Sequence, residues 1–474
     1  VVNTCTVTAK SDRDCRREIR LAKRLDPGCT VVVTGCYAQV DAETVSQLPG
    51  VDLVLGNPDK SRLVEMVEQL RGNGHPPSPP RRGAAHSAAG GSSVAGRGAT
   101  VGRGAAVGRG DTWSEGSPSP LIAVSHYGEQ ADFESEAFTH FYGYTRAFLK
   151  IQNGCDSHCA YCIIPAARGP SRSMPAAQVH EQVRLLGERG FQEVVLTGIH
   201  LGCWGRDTGE GSLADLLRLL LDAPDESRSG SRGNAHMRDA GLMGSPRPWR
   251  FRLSSIEPLE MDRRLIEVIA SAGERVAHHF HLPLQSGSDS VLRRMGRPYT
   301  SSQYLAVVET LAARFPQAAL GADVIVGFPG ETDKEFRETL AFVERTPLNY
   351  LHVFAYSDRP GTPASRMRPK ISPEIIRERS ASLRDLAERK KEAFRTTLRG
   401  TEQTALVLHE QSSDGRWVGM TGNYAEVLVS GEESLANRFV RVRLEKPRPD
   451  GRWEVTLEEV RDGGEGRAQG EPVR

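Results

Sequence analysis

Cys155, Cys159 and Cys162 stand within eight residues of one another in the stretch QNGCDSHCAYCIIPAARG, with C-x3-C-x2-C spacing. Thiolates are soft ligands that suit zinc or iron–sulfur clusters. A structural zinc site takes four protein ligands, and this loop carries no fourth cysteine. His158 or Cys203 would have to complete such a site. His158 sits between two of the cysteines and would strain the same short loop, and Cys203, in HLGCWG, reads as packing near the end of another strand. Three thiolates on a tight loop instead hold three irons of a [4Fe-4S] cluster. The fourth iron is then left open to a substrate.

The elements around this loop say where it sits. It follows a strand, RAFLKIQ, and five further strands recur behind it: EVVLTGI, RFRLSSI, HHFHLPLQ, ADVIVGF and LHVFAYS. Helical stretches such as AAQVHEQVRLLGERG and SLADLLRLLLDAP lie between them. Six strand–helix units predict a full or partial (β/α) barrel over 136–398, with the cysteines at the C-terminal end of its first strand, where barrel enzymes keep their active sites. Residues 225–248 read as a polar surface insertion.

Residues 1–72 alternate short β-branched strands with helices and predict a small α/β domain with a parallel sheet. Between Arg81 and Gly110, 17 of 30 residues are Gly or Ala, too little apolar surface to offset chain entropy. A disordered Gly/Ala/Arg-rich linker is therefore expected over 73–135. A long helix begins at Ser372-Pro373, a good N-cap and first-turn pair, and ends at Gly400. Five short alternating strands follow and predict a small antiparallel β-barrel over 399–462, with a disordered tail over 463–474.

Composition bounds the rest. The 474 residues suffice for two or three domains. Lys and Arg number 61 against 60 Asp and Glu, so a nucleic-acid surface would have to be a local patch. Eight cysteines are too dilute for a disulfide scaffold and point to a reducing compartment, the cytoplasm. No apolar run approaches the roughly 20 residues that span a bilayer. The chain opens at Val1 inside a strand, so preceding N-terminal residues are expected to be missing.

The C-x3-C-x2-C loop after a first barrel strand resembles the radical S-adenosylmethionine superfamily. An ordered set of further stretches resembles its methylthiotransferases: NTCTVT, VVVTGCYAQ, CIIPAARGPSRS, VVLTGIHLGCWGRD, HLPLQSGSDSVLRRMGRPY, GADVIVGFPGETDKEF and HVFAYSDRPGTPASRM. CDSHCAYCIIPAARG and LTGIHLGCWGRD look most like the enzymes that methylthiolate C2 of N6-threonylcarbamoyladenosine at position 37 of tRNA. Relatives acting on isopentenyladenosine in tRNA, or on a ribosomal-protein aspartate, are the alternatives. A metal-containing RNA-binding protein without catalysis is the other class.

The resemblance implies two [4Fe-4S] clusters and S-adenosylmethionine. Cys155, Cys159 and Cys162 would hold the catalytic cluster. Cys5 and Cys36 match two ligands of a second cluster, whose third ligand is absent from this chain, while Cys15 and Cys29 read as structural. Gln285, Ser286, Gly327, Gly330 and Glu331 are candidates to shape the S-adenosylmethionine pocket, with tight turns and capping the plainer reading of each. Arg168 is a candidate to meet a carboxylate or phosphate, or to sit in a surface ion pair. The C-terminal barrel resembles a TRAM domain, an OB-like RNA-binding module. There Trp417 and Tyr424 are candidates to stack on bases and Arg441 and Arg443 to meet phosphates, against core packing and solvated edge charge. The implied partners are the tRNA anticodon loop and an electron donor such as flavodoxin or ferredoxin, with the protein acting as a monomer and away from membranes.

Overall fold

The computed structural model describes residues 1–6, 8–72, 120–127, 133, 144–222, 249–431 and 435–461. Residues 73–119, 128–132 and 134–135 of the expected linker, the whole insertion at 225–248 and the tail at 463–474 lie outside them. Packing groups the chain into two units: 1–131 with 154–170 and 357–366, and 132–153 with 171–356 and 367–474.

The first unit is built on a four-stranded parallel sheet of β1 (Val2–Thr4), β2 (Val32–Gly35), β3 (Leu53–Leu55) and β4 (Leu121–Ala123), in that order. Both faces are covered, as parallel sheets require. Val33 and Val54 pack with Ile19, Tyr37 and Val45, whereas Val32, Leu53 and Leu55 pack with Met66 and Ala123. The helix Ala9–Leu25 starts because the Thr8 hydroxyl accepts from the Ser11 N–H. It buries Cys15 and Ile19 on the sheet. Strand β4 corrects the expected linker boundary: Leu121, Ile122 and Ala123 pair in register with Leu53, Val54 and Leu55. Three apolar residues are too few to announce a strand. The open edge of β3 selects them.

The second unit holds the six strands expected of the barrel. These are β5 (Arg146–Lys150), β8 (Glu193–Thr197), β9 (Arg250–Leu253), β10 (His279–His281), β11 (Ala319–Val326) and β12 (Tyr350–Ala355). A short antiparallel pair, β6 (Gln152–Asn153) and β7 (Arg172–Ser173), flanks the cysteine loop. The six form two parallel sheets, β5-β8-β9 and β10-β11-β12. Bonds from the Ala277 N–H to the Phe251 carbonyl and from the Ile256 N–H to the His281 carbonyl join them into one open, partial barrel. Its core is continuous, from Val194 and Leu196 through Phe251 and Phe280 to Val324 and Phe342.

The helix Pro373–Leu398, capped by Ser372, leads into β13 (Glu402–Gln411), β14 (Trp417–Thr421), β15 (Glu426–Val429), β16 (Phe439–Pro447) and β17 (Trp453–Arg461). These close into a barrel in the order β13-β14-β15-β17-β16. It is not wholly antiparallel, because β15 and β17 pair in parallel. Closing five strands forces at least one like-directed pairing.

The closed barrel is fastened to the open one by a buried charge network. Glu193 on β8 is paired in register with Arg250 on β9 and accepts from Arg250 Nε at 2.5 Å and Arg252 Nε at 3.0 Å. The guanidinium forks continue to backbone carbonyls of Thr404, Met420, Thr421 and Gly422, at 2.9 to 3.0 Å. Burial opposes ionisation of Glu193, yet the two arginines prevail and hold its carboxyl down to about 2.

Candidate functional site

The sheet of the first unit brings two predicted cysteines to one end. Thr4 pairs in register with Gly35, so Cys5 and Cys36 are the next residues beyond adjacent parallel strands. Gly35 has φ 99°, and a Cβ there would lie 2.3 Å from the Thr4 carbonyl oxygen. Only glycine permits the two strand ends to come this close. Cys36 is buried and Cys5 exposed.

The loop with Cys155, Cys159 and Cys162 belongs to the same unit. Its backbone is folded by bonds from the Cys155 N–H to the Gly169 carbonyl and from the Cys162 N–H to the Cys159 carbonyl, at 3.1 and 3.0 Å. The Ser157 N–H lies 3.4 Å from Cys155 Sγ and donates to it. All three thiols are partly exposed, as ligands open to a bound group must be. A cavity of about 470 Å³ adjoins Cys155, lined also by His158, Gln39 and Tyr127 among others. The three-thiol donor set and this accessible loop fit an iron–sulfur cluster with one open iron. No zinc-like group of ligands forms around His158 among the described residues. Cys203 sits instead with His200 and Glu260, its thiol pushed upward first by burial.

The helix Ile164–Arg168 follows the cysteines and reaches back to the sheet. Arg168 Nε lies 3.1 Å from Cys36 Sγ, and Asn57 Nδ2 donates to the Ala167 carbonyl at 2.8 Å. Arg168 thus meets a thiol rather than a carboxylate or phosphate at this contact. Arg359, in DRPGT, is buried against Asp12 at 2.5 Å.

The candidates for the S-adenosylmethionine pocket lie in the second unit, largely engaged with the fold itself. Gln285, at φ 67°, donates its N–H to the Asp323 carbonyl, and its own carbonyl accepts from the Ile325 N–H. Ser286 bonds Thr339. The Glu331 carboxylate accepts from the Gly327 N–H at 2.8 Å and from Arg379 at 2.7 Å, while the Gly330 N–H donates to the Pro369 carbonyl. Glu331 is therefore an internal brace of the β11 turn. Burial pushes its carboxyl upward, against the Gly327 bond and Arg379.

The RNA candidates are redistributed. Trp417 is buried in the closed-barrel core, so its ring offers no stacking face. Its place on the inward side of β14 was invisible in a strand only five residues long. Arg441 and Arg443 pair with Glu402, and Arg443 also with Glu458. The acids stand opposite them across β13 and β17. Tyr424, at φ 66°, projects into the open barrel, over Arg252 at 4.5 Å and against the His279 ring at 4.4 Å.

That open barrel encloses a cavity of about 980 Å³ with a polar wall the motifs did not reveal. Asp323 Oδ1 lies 3.2 Å from His281 Nε2 and 3.3 Å from His352 Nδ1. His281 Nδ1 is 2.7 Å from the Ser255 hydroxyl, and His279 Nε2 is 2.7 Å from the Tyr350 hydroxyl. Burial opposes the Asp323 charge, but the two histidines hold its carboxyl down to about 2. The Asp323 bond in turn raises His352. His279, buried beside Arg252, is pushed down to about 3 and is neutral. The signal was present in the alternation of His279, His281 and of Tyr350, His352 along their strands, with Asp323 a lone charge in ADVIV.

Residues 149–343 match the family described as the Radical SAM superfamily, and residues 1–56 match the uncharacterized protein family UPF0004. The first match makes the protein a radical S-adenosylmethionine enzyme, a class that uses S-adenosylmethionine and a [4Fe-4S] cluster. Among curated relatives, "Threonylcarbamoyladenosine tRNA methylthiotransferase MtaB" of Aquifex aeolicus is 34% identical, over 94% of this chain and 90% of its own. The protein of the same name in Bacillus subtilis is 32% identical over 94% and 85%. A "tRNA-2-methylthio-N(6)-dimethylallyladenosine synthase" of Symbiobacterium thermophilum is 32% identical over 96% and 84%. The chain belongs to the methylthiotransferase family of radical S-adenosylmethionine enzymes. Among the described residues, no helix is long and apolar enough to cross a membrane.

Proposed function

We propose that this enzyme replaces the C2 hydrogen of N6-threonylcarbamoyladenosine at position 37 of tRNA with a methylthio group. Cys155, Cys159 and Cys162 are assigned to the [4Fe-4S] cluster that S-adenosylmethionine meets, and Cys5 and Cys36 to a second one. When bound, the first cluster supplies the electron that cleaves S-adenosylmethionine, and the second supplies the sulfur. In the net change a C2–H bond is exchanged for C2–S, the hydrogen leaves in 5′-deoxyadenosine, and a second S-adenosylmethionine provides the methyl group.

The observation that carries this reading is the placement of both cysteine sets in one unit, with Arg168 reaching from one loop to Cys36 at 3.1 Å. The chain's own residues supply the rest. The Gly35 turn brings the second pair of thiols to one sheet end. Gly327 and Gly330, in the turn braced by Glu331, are assigned to border S-adenosylmethionine. The open barrel presents a walled cavity for the base. The tRNA, a flavodoxin- or ferredoxin-like donor and a cytoplasmic setting complete the proposal.

The relative named for dimethylallyladenosine, at 32% identity, favours one other reading: the same chemistry on isopentenyladenosine. The test is reaction of the iron-loaded protein with S-adenosylmethionine, a reductant and tRNA carrying either nucleoside. 5′-Deoxyadenosine with methylthio product on the threonylcarbamoyl tRNA supports the proposal. Product on the isopentenyl tRNA alone transfers it to the other reading.

A further inference from the structure

The open-barrel cavity carries polar groups on one wall: His279 and His281 on β10, Asp323 on β11, and Tyr350 and His352 on β12. The helix Pro373–Leu398 and the closed barrel line its other side. Within this wall His279 Nδ1 is buried without a hydrogen-bond partner. His281 Nε2 lies 3.2 Å from Asp323 Oδ1 and is held by that carboxylate. The neighbouring polar atoms are already spoken for. His279 Nε2 meets the Tyr350 hydroxyl, and His281 Nδ1 meets Ser255. His352 stands across from Asp323 in the β11–β12 register, with its side chain about half exposed.

The Tyr350 ring reaches this position because Gly321 has no side chain: a Cβ there would lie 1.8 Å from a ring carbon of Tyr350. The ring stacks on His279 at 5.5 Å and lies 6.0 Å from His281, which lies 5.2 Å from His352. The result is a row of flat, polar-edged groups across the cavity wall. Burying a hydrocarbon against it would strip water from the half-exposed His352 ring and the part-exposed Asp323 carboxylate and offer no partner in return. Burying a ureido, hydroxyl or carboxylate group would partner them. Sites built to hydrogen-bond a substrate reject analogues that lack the polar group far more strongly than apolar pockets reject extra bulk.

We propose that the wall of His279, Tyr350, His281, Asp323 and His352 reads the N6 appendage of the substrate adenosine and demands a polar appendage in place of a hydrocarbon one. This inference rests on the nucleoside reading above and names the residues that enforce it.

The test is equilibrium binding of the full chain to three labelled anticodon stem-loops, with position 37 carrying N6-threonylcarbamoyladenosine, isopentenyladenosine or adenosine. Wild-type protein is expected to prefer the threonylcarbamoyl stem-loop over the isopentenyl one by about tenfold or more, the scale of one well-made hydrogen bond. That ratio is expected to fall toward one in His352→Leu, an exposed position that tolerates the change, and in Tyr350→Phe, which keeps the ring and removes only the hydroxyl. His352→Gln, which retains a donor, is expected to keep part of it. A wild-type preference that survives intact in both His352→Leu and Tyr350→Phe overturns the inference and leaves the nucleoside reading standing. A wild-type preference for the isopentenyl stem-loop overturns both.

Discussion

Arg168 Nε lies 3.1 Å from Cys36 Sγ, so the helix after the three-cysteine loop donates a hydrogen bond to a thiol of the other cysteine set. Hydrogen bonds and positive charge at cluster sulfurs raise reduction potentials. Arg168→Met is therefore expected to shift the potential of the second cluster proposed at Cys5 and Cys36 negative, on the order of tens of millivolts, while Arg168→Lys restores part of the shift. A redox titration followed by electron paramagnetic resonance checks this. An unchanged potential in Arg168→Met would show that the contact does not persist in the loaded protein.

Glu193 compensates two fully buried arginines. Removing its charge in Glu193→Gln leaves both guanidinium groups uncompensated and is expected to cost about 3 kcal/mol. The pH dependence has a definite sign. Glu193 is held down to about 2, so its contribution is present above its unfolded value of about 4.3 and is lost as pH falls toward 2. Denaturant unfolding at a series of pH values should show wild type losing stability across that window and the variant following a flatter curve.

The Tyr350 ring occupies the space above Gly321. Gly321→Ala forces the ring out of its stack on His279, at an expected cost of about 1–3 kcal/mol from overpacking. The same variant should lose discrimination between polar and hydrocarbon N6 appendages. A thermal melt together with stem-loop binding checks both. Discrimination that persists despite the displaced ring would remove Tyr350 from the recognition account.

His352 and Asp323 titrate against one another. The Asp323 bond raises His352, so the pair stabilises the fold below the unfolded histidine value of about 6.5 and ceases to do so as pH rises through the folded value. In Asp323→Asn the His352 value should drop. Histidine ring resonances followed by NMR across pH 5 to 9 measure this directly, and an equal midpoint in both proteins would contradict the assigned contact.

The parts legible in the sequence were those governed by local pattern. Six short apolar runs marked the barrel strands, and the Ser372-Pro373 pair marked the long helix that the structure begins at Pro373. The spacing of Cys155, Cys159 and Cys162 pointed to a three-thiolate site, and the structure folds them onto one partly exposed loop. What stayed hidden depended on partners distant in the chain. Leu121–Ala123 becomes a strand only because β3 offers an edge. Trp417 faces the barrel core through a closure that no single strand encodes. Nothing in RFRL marked Arg250 and Arg252 as partners for Glu193, 57 residues from Arg250. Glu331 stood between a ligand contact and a turn charge because its Arg379 partner lies 48 residues away. The polar wall of the cavity needed three strands to assemble, and each carries only alternating His, Tyr or Asp.

The central claim is the identity of the modified nucleoside. Mass spectrometry of tRNA nucleosides from cells with and without the gene tests it most directly. The account predicts that loss of the gene abolishes the 2-methylthio form of N6-threonylcarbamoyladenosine and lets its unthiolated precursor accumulate. Persistence of that nucleoside, with loss of methylthio-isopentenyladenosine instead, would contradict the account at its substrate. No change in either, in cells without a second enzyme of this family, would contradict it at tRNA altogether.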